Sequence, residues 1–224
     1  MREVPLGQYW VQAGLKLRNA MFLNEILTNS EVWHGMKDKD MDKLEQVDEC
    51  LLRGILETPS KTPKEALYLE TGTQPIRFII KTRRLGYLHH ILTRKDSELI
   101  SRIFYAQKRK PVKNDWSLTV QNDQDEINLN MTEESIAKLK KHSFKKILKV
   151  KIKNAAFNYL KDNAKKHSKA LKIQYDKLII QDYLTDKRFS SEEKILLFKL
   201  RSSMDDVKLN FNSMYTDLTC DLCN

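Results

Sequence analysis

In the second half of the chain, Phe144, Leu148, Ile152, Ala155 and Tyr159 recur at intervals of four, four, three and four residues. That period buries one face of an α-helix and cannot serve a half-buried strand, whose faces alternate every two residues. The remaining faces are almost entirely lysine. Residues 138–172 hold 13 Lys and a single acid, Asp162, so this segment alone carries +12 while the whole chain carries +10. The positive charge is concentrated, and a helix face that excludes acids so completely suits a polyanion whose counterions are released on binding. A plain solvated face or a membrane-surface face is the alternative reading.

Upstream the same helical period repeats. Val11, Leu15, Phe22 and Ile26 mark a core helix from Gln8 to about Thr28, and Leu44, Val47, Leu51 and Ile55 mark a second that stops at Thr58-Pro59. In "TPKEALYLETG", Thr62 with Glu65 predicts a capping box and Gly72 a left-handed C-cap. Pro75 opens an amphipathic helix with Ile76, Ile80, Tyr87 and Ile91 inward and Arg77, Lys81 and Arg84 along another side. A helix begun by Asp96 follows, and the polar run "NDQDEINLN" is the best candidate for a domain boundary. Thr132 caps the long basic helix, and Ser190 with Glu193 caps a last one that is apolar on nearly all sides and should be buried.

With only 6 Gly and 5 Pro in 224 residues, breakers are too few for a turn-dense β fold. The expectation is an all-α chain: a helical bundle over 1–126, a lysine-rich helical linker over 127–215 and a short tail over 216–224. Three cysteines make no disulfide framework, and "MREVPLGQYW" lacks the apolar core of a signal peptide. A reducing intracellular setting, nuclear or cytoplasmic, is therefore expected. The longest apolar run, Ile195 to Phe198, falls far short of the roughly 20 residues that span a bilayer, so no membrane span is predicted.

Motifs for chemistry are sparse. Cys220 and Cys223 have the C-x-x-C spacing of a zinc site, but a structural site takes four ligands and no Cys or His follows them. His89 and His90 adjoin within a helix and point about 100° apart, a poor geometry for one metal. Asp205 and Asp206, in "SSMDDV", are a carboxylate pair without the third acid that two-metal catalysis needs. Cys50, beside Leu51 and Leu52, reads as a core or near-core residue, Tyr159 and Tyr175 are candidates to stack on bases, and the helical spacing of Tyr159 favours a core position for it instead. No P-loop, zinc-protease, nucleophile-elbow or dinucleotide motif is present.

Several stretches together resemble the region after the catalytic palm in reverse transcriptases of non-LTR retrotransposons: Asn29-Ser30-Glu31-Val32-Trp33, Leu-Tyr-Leu-Glu-x-Gly at Leu67 to Gly72, and Pro-Ile-Arg-Phe at Pro75 to Phe78. The similarity continues through Lys153 to Leu160 and "LLFKLRSSMDDVKLNF" to the terminal cysteines, nearly the whole chain. The resemblance implies a helical thumb and linker that grip a primer-template duplex, leading into a zinc knuckle whose first two ligands match Cys220 and Cys223. It also implies that the fingers and palm, with the catalytic aspartates, belong upstream of Met1. The expectation is a fragment of an RNA-directed DNA polymerase with no polymerase site of its own. It would contact the phosphates of a duplex or an RNA/DNA hybrid through Arg77, Lys81, Arg84, Lys141, Lys145 and Lys149, and hold zinc only if ligands come from outside this chain. A helical module that docks a partner, such as the absent palm or a second copy of the chain, through its first helix, or a decayed element product, are the alternatives.

Overall fold

The computed structural model describes residues 9–165 and 175–202, and among them the regular elements are all helical, as the periodicity predicts. The first is a rod in three parts: α1 (Trp10–Leu17), a π-helical turn (Arg18–Phe22) and α2 (Leu23–Ile26). Val11, Leu15, Leu23 and Leu27 form its inner side. Within the π-turn Arg18 points inward, donating to both oxygens of Asp48 at 2.6 Å, while the Tyr68 hydroxyl donates to the same carboxylate at 3.1 Å. All three side chains are buried, so the widened turn ties the rod to its neighbours through a charged clasp.

A 3₁₀ turn (Ser30–Val32) leads to α3 (Asp38–Leu56). Here the observed inner face differs from the expected one. Leu52, Ile55 and Leu56 are buried together with Glu45, Asp48 and Glu49, while Val47 is 51% exposed. Charge decides the rotation: this side of α3 meets Arg18 and the cations of α5 (Ile76–Leu92), so carboxylates occupy positions that an apolar count assigns elsewhere.

Between them lies α4 (Lys64–Thr71). Pro63 takes its N-cap and no side chain bonds there, so the predicted box of Thr62 and Glu65 does not form. Gly72 does adopt the left-handed cap, at φ 64°. The backbone of Ile179 and Ile180 runs so close that a Cβ on Gly72 would sit 2.1 Å from the Ile180 nitrogen, which leaves room for glycine alone. Two residues earlier, Glu70 is fully buried and accepts from the hydroxyls of Tyr175 and Tyr183, the latter at 3.0 Å, and from Arg201 Nε at 2.9 Å. An isolated antiparallel bridge from Thr71 to Ile180 completes this latch.

Helix α5 is the hub. It packs against α3, α6 (Leu99–Arg109), α7 (Trp116–Glu126), α8 (Glu133–Lys138) and α9 (Lys141–Ala164). Ile76, Phe78, Ile80, Leu85, Leu88 and Ile91 are buried, so little of its circumference is left for solvent. The expected boundary after residue 126 is a helix stop inside the bundle. Asn128 turns left-handed at φ 52°, Leu129 N–H reaches back to Gln124 O at 2.8 Å, and Ile127 and Leu129 are buried.

Thr132 caps as expected, its hydroxyl accepting from Ser135 N–H at 3.2 Å, but the chain breaks at Leu139-Lys140 and restarts, giving two helices in place of one. The buried ridge of α9 is Phe144, Leu148, Ile152, Ala156, Leu160 and Ala164. It follows the i±4 row that inclined helices offer each other, so Ala155 and Tyr159 sit at its edge. Phe144 to Leu160 join one core with Leu67, Phe78 and Leu88, and α9 is therefore a wall of the bundle rather than an appended linker.

The described chain ends with α10 (Asp182–Thr185) and α11 (Ser191–Arg201). The Ser190–Glu193 capping box is present, and Ile195 and Phe198 are buried, but Leu196 and Leu200 face outward because, among the described residues, α11 packs on one side only. Among the described residues no helix is long and apolar enough to cross a membrane.

Candidate nucleic-acid interface

The three α5 cations expected to meet phosphates meet carboxylates instead. Arg77 donates to Glu45 through Nε at 2.8 Å and Nη2 at 2.9 Å, and to Asp42 at 3.0 Å. Burial works against the Arg77 charge, and the Glu45 carboxylate more than offsets it, holding the pKa above the ordinary arginine range. Lys81 bonds Glu126 and lies 3.9 Å from Asp123. Arg84 is buried, clasps Asp123 with two nitrogens and donates a third bond to Trp33 O at 2.9 Å. Burial pushes the Asp123 carboxyl above its usual range even with Arg84 beside it. The expected phosphate-facing stripe of α5 is a set of internal struts to α3 and α7, because on these sides the helix is covered and its charges must pair with its neighbours.

Helices α8 and α9 behave differently. Lys141, Lys145 and Lys149 are exposed, and so are Lys138, Lys140 and Lys146; none of the six forms an ion pair among the described residues. At i, i+4 spacing, Lys141, Lys145 and Lys149 stand about 6 Å apart along the axis. The start of α9 adds to the field. Lys140 at its N-cap makes no side-chain bond and the first turn has no acid, whereas the first turns of α8 and α11 each hold two glutamates. Lysine there opposes the positive end of the helix dipole, an arrangement that an outside anion relieves. The buried carboxylates Glu45 and Asp48 of α3 and Asp123 of α7 are committed to internal cations, and these six lysines of α8 and α9 have no acid partner among the described residues.

A groove of about 900 Å³ opens between α5 and the α8–α9 break. Lys140, Lys141 and Lys145 form one side; Arg83, Gly86, Tyr87 and His90 form the other. Arg83 is the one arginine of the α5 cluster without a carboxylate: it donates to Leu27 O, to Ser30 Oγ at 3.4 Å and to Asn24 Oδ1 at 3.3 Å, all neutral. Tyr87 and His90 stack with centroids 5.9 Å apart and planes 19° apart, and Trp116 meets Tyr87 edge-on at 5.8 Å. The two histidines diverge as their spacing predicts. His89 turns inward, its Nε2 2.9 Å from Leu139 O and its ring stacked 5.0 Å from Phe144, pinning the α8–α9 break to α5.

Nothing in the sequence singles Arg83 out from Arg77, Lys81 and Arg84 on the same helix, since the partners that neutralise those three lie 32 to 45 residues away. Gly86 and the Tyr87–His90 platform left no sequence signal beyond ordinary helix spacing. Tyr175 is a core residue, its hydroxyl spent on Glu70, and Tyr159 is half-buried, edge-on to Phe78 at 5.5 Å with the Arg77 guanidinium 5.0 Å over its ring. Cys50 is exposed, contrary to its expected core position. Cys220, Cys223 and the Asp205-Asp206 pair lie outside the described residues, among which no group of three or more His, Cys, Asp or Glu is placed to hold a metal. No protein-family model, curated protein or solved structure matches the chain.

Proposed function

We propose that this chain binds nucleic-acid duplex without sequence preference, through phosphate contacts from Lys141, Lys145 and Lys149 with Lys138, Lys140 and Lys146 beside them. The observation that carries the reading is the division of charge: cations inside the bundle are matched by acids, and those along α8 and α9 are not. Lysines on one rigid helix present several charges at fixed spacing, and each neutralised phosphate releases counterions. Together with the sequence resemblance, the reading is of a thumb-like fragment of a non-LTR retrotransposon reverse transcriptase that holds duplex and carries no polymerase site, in a nuclear or cytoplasmic setting. Titration of a fluorescent duplex at low ionic strength tests it. Binding that weakens when Lys141, Lys145 and Lys149 are changed to Gln supports the role, and absence of binding removes it.

A second reading has its own observation. Trp10, Leu17 and Met21 are large apolar residues 47%, 55% and 66% exposed on the first helical rod. A protein partner such as a polymerase palm would cover that face. Serine at all three positions would then abolish docking and leave duplex binding untouched.

A further inference from the structure

The geometry points to the groove between α5 and the α8–α9 break as a site for an unpaired nucleotide, its base on the Tyr87–His90 platform and its phosphate on Lys140, Lys141 and Lys145. The inference rests on the reading above, that these lysines hold phosphates, and names what the groove adds to it.

Three features select a single strand. The groove's volume, about 900 Å³, lies within the roughly 300–1,000 Å³ of small-ligand sites, so it admits a nucleotide or two and leaves a double helix on its rim. Its floor is helix backbone laid open at Gly86, where an added Cβ would meet nothing within 4 Å. Glycine weakens a helix interior, no packing contact requires it here, and its absence of side chain lets a flat group approach α5. Beside it the Tyr87–His90 pair is half-buried, with Trp116 edge-on behind the tyrosine and Arg94 Nη2 3.3 Å from His90 Nε2. Any base has a π-face to lay on such a platform, so recognition is tolerant of sequence. Lys141 and Lys145 line the groove and continue the file of exposed lysines that leads to Lys149. One nucleic acid can thus rest its paired part on α9 and turn its unpaired end into the groove.

The test compares a blunt duplex with the same duplex bearing a short unpaired overhang that contains 2-aminopurine, in DNA and RNA forms, against the full chain and its Gly86→Leu and His90→Ala variants. The overhang should tighten binding about tenfold, within the range of base–aromatic stacking, and the aminopurine should be quenched on binding. A Cβ at Gly86 meets nothing within 4 Å, so Gly86→Leu should keep or raise its thermal midpoint and keep its blunt-duplex affinity while losing both the overhang preference and the quenching; His90→Ala should lose most of the quenching. Equal affinity for blunt and overhang substrates, or a preference that survives Gly86→Leu, overturns this inference alone. Failure of both substrates to bind at low salt overturns the lysine reading beneath it as well. A preference confined to the RNA or the DNA overhang assigns the sugar the groove selects and supports the site.

Discussion

Arg84 and Asp123, 39 residues apart in sequence, face each other inside the bundle as a two-bond pair, Nε to Oδ2 at 2.7 Å and Nη2 to Oδ1 at 3.0 Å. Both are buried. The pair joins the hub helix to α7 and takes Arg84 out of any contact with phosphate. Removing one partner leaves the other charge buried and alone, so Asp123→Ala should destabilise the fold by about 3–5 kcal/mol in denaturant unfolding. Changing both residues to apolar ones should cost much less. Duplex affinity, measured on the fraction that remains folded, should not change in either variant.

Two glycines should respond in opposite ways. Gly72→Ala places a Cβ against the Ile179–Ile180 backbone at a left-handed φ of 64°, and several kcal/mol of stability should be lost with the latch around Glu70. Gly86→Ala meets no neighbour within 4 Å and should raise helix stability by about 0.5–1 kcal/mol. Thermal unfolding of the two variants side by side checks both signs.

Alkaline pH should unfold this protein through its buried phenols. Burial first, and the Glu70 carboxylate second, push Tyr175 and Tyr183 well above the ordinary tyrosine range, and burial with Asp48 beside it does the same for Tyr68. The native state therefore keeps these protons after the unfolded chain has lost its own near pH 10. Their contribution is fully present below that pH and is lost as pH rises towards the folded values. Each phenol should add up to about 1.4 kcal/mol of lost stability per pH unit in that window. Tyr183→Phe should flatten the pH dependence by about one such increment; an unchanged slope would place that proton elsewhere.

Much of this architecture was legible because helix formation is local. The all-helical class, the left-handed Gly72, the Ser190–Glu193 box and the Thr132 cap all depend on residues within a few positions of each other. What misled was long-range charge. The α5 stripe looks like an exposed basic face until Glu45, Asp123 and Glu126 are seen beside it, and "NDQDEINLN" looks like a linker because Asp123, its buried counter-ion, is polar. A carboxylate that neutralises an arginine across the bundle leaves the same mark in sequence as one that faces water. The lysines of α9 were readable for the converse reason: with so few acids nearby in the chain, there was little local charge to pair with them.

The most direct test of the central claim is the salt dependence of duplex binding, log Kobs against log salt, for the full chain and a Lys141→Gln, Lys145→Gln, Lys149→Gln triple variant. If all six exposed lysines meet phosphates, the slope for B-DNA should be about −5, and the triple variant should flatten it by nearly 3. A slope that stays the same without those three lysines, or binding that is indifferent to salt, would contradict the assignment of the α8–α9 surface to the phosphate backbone.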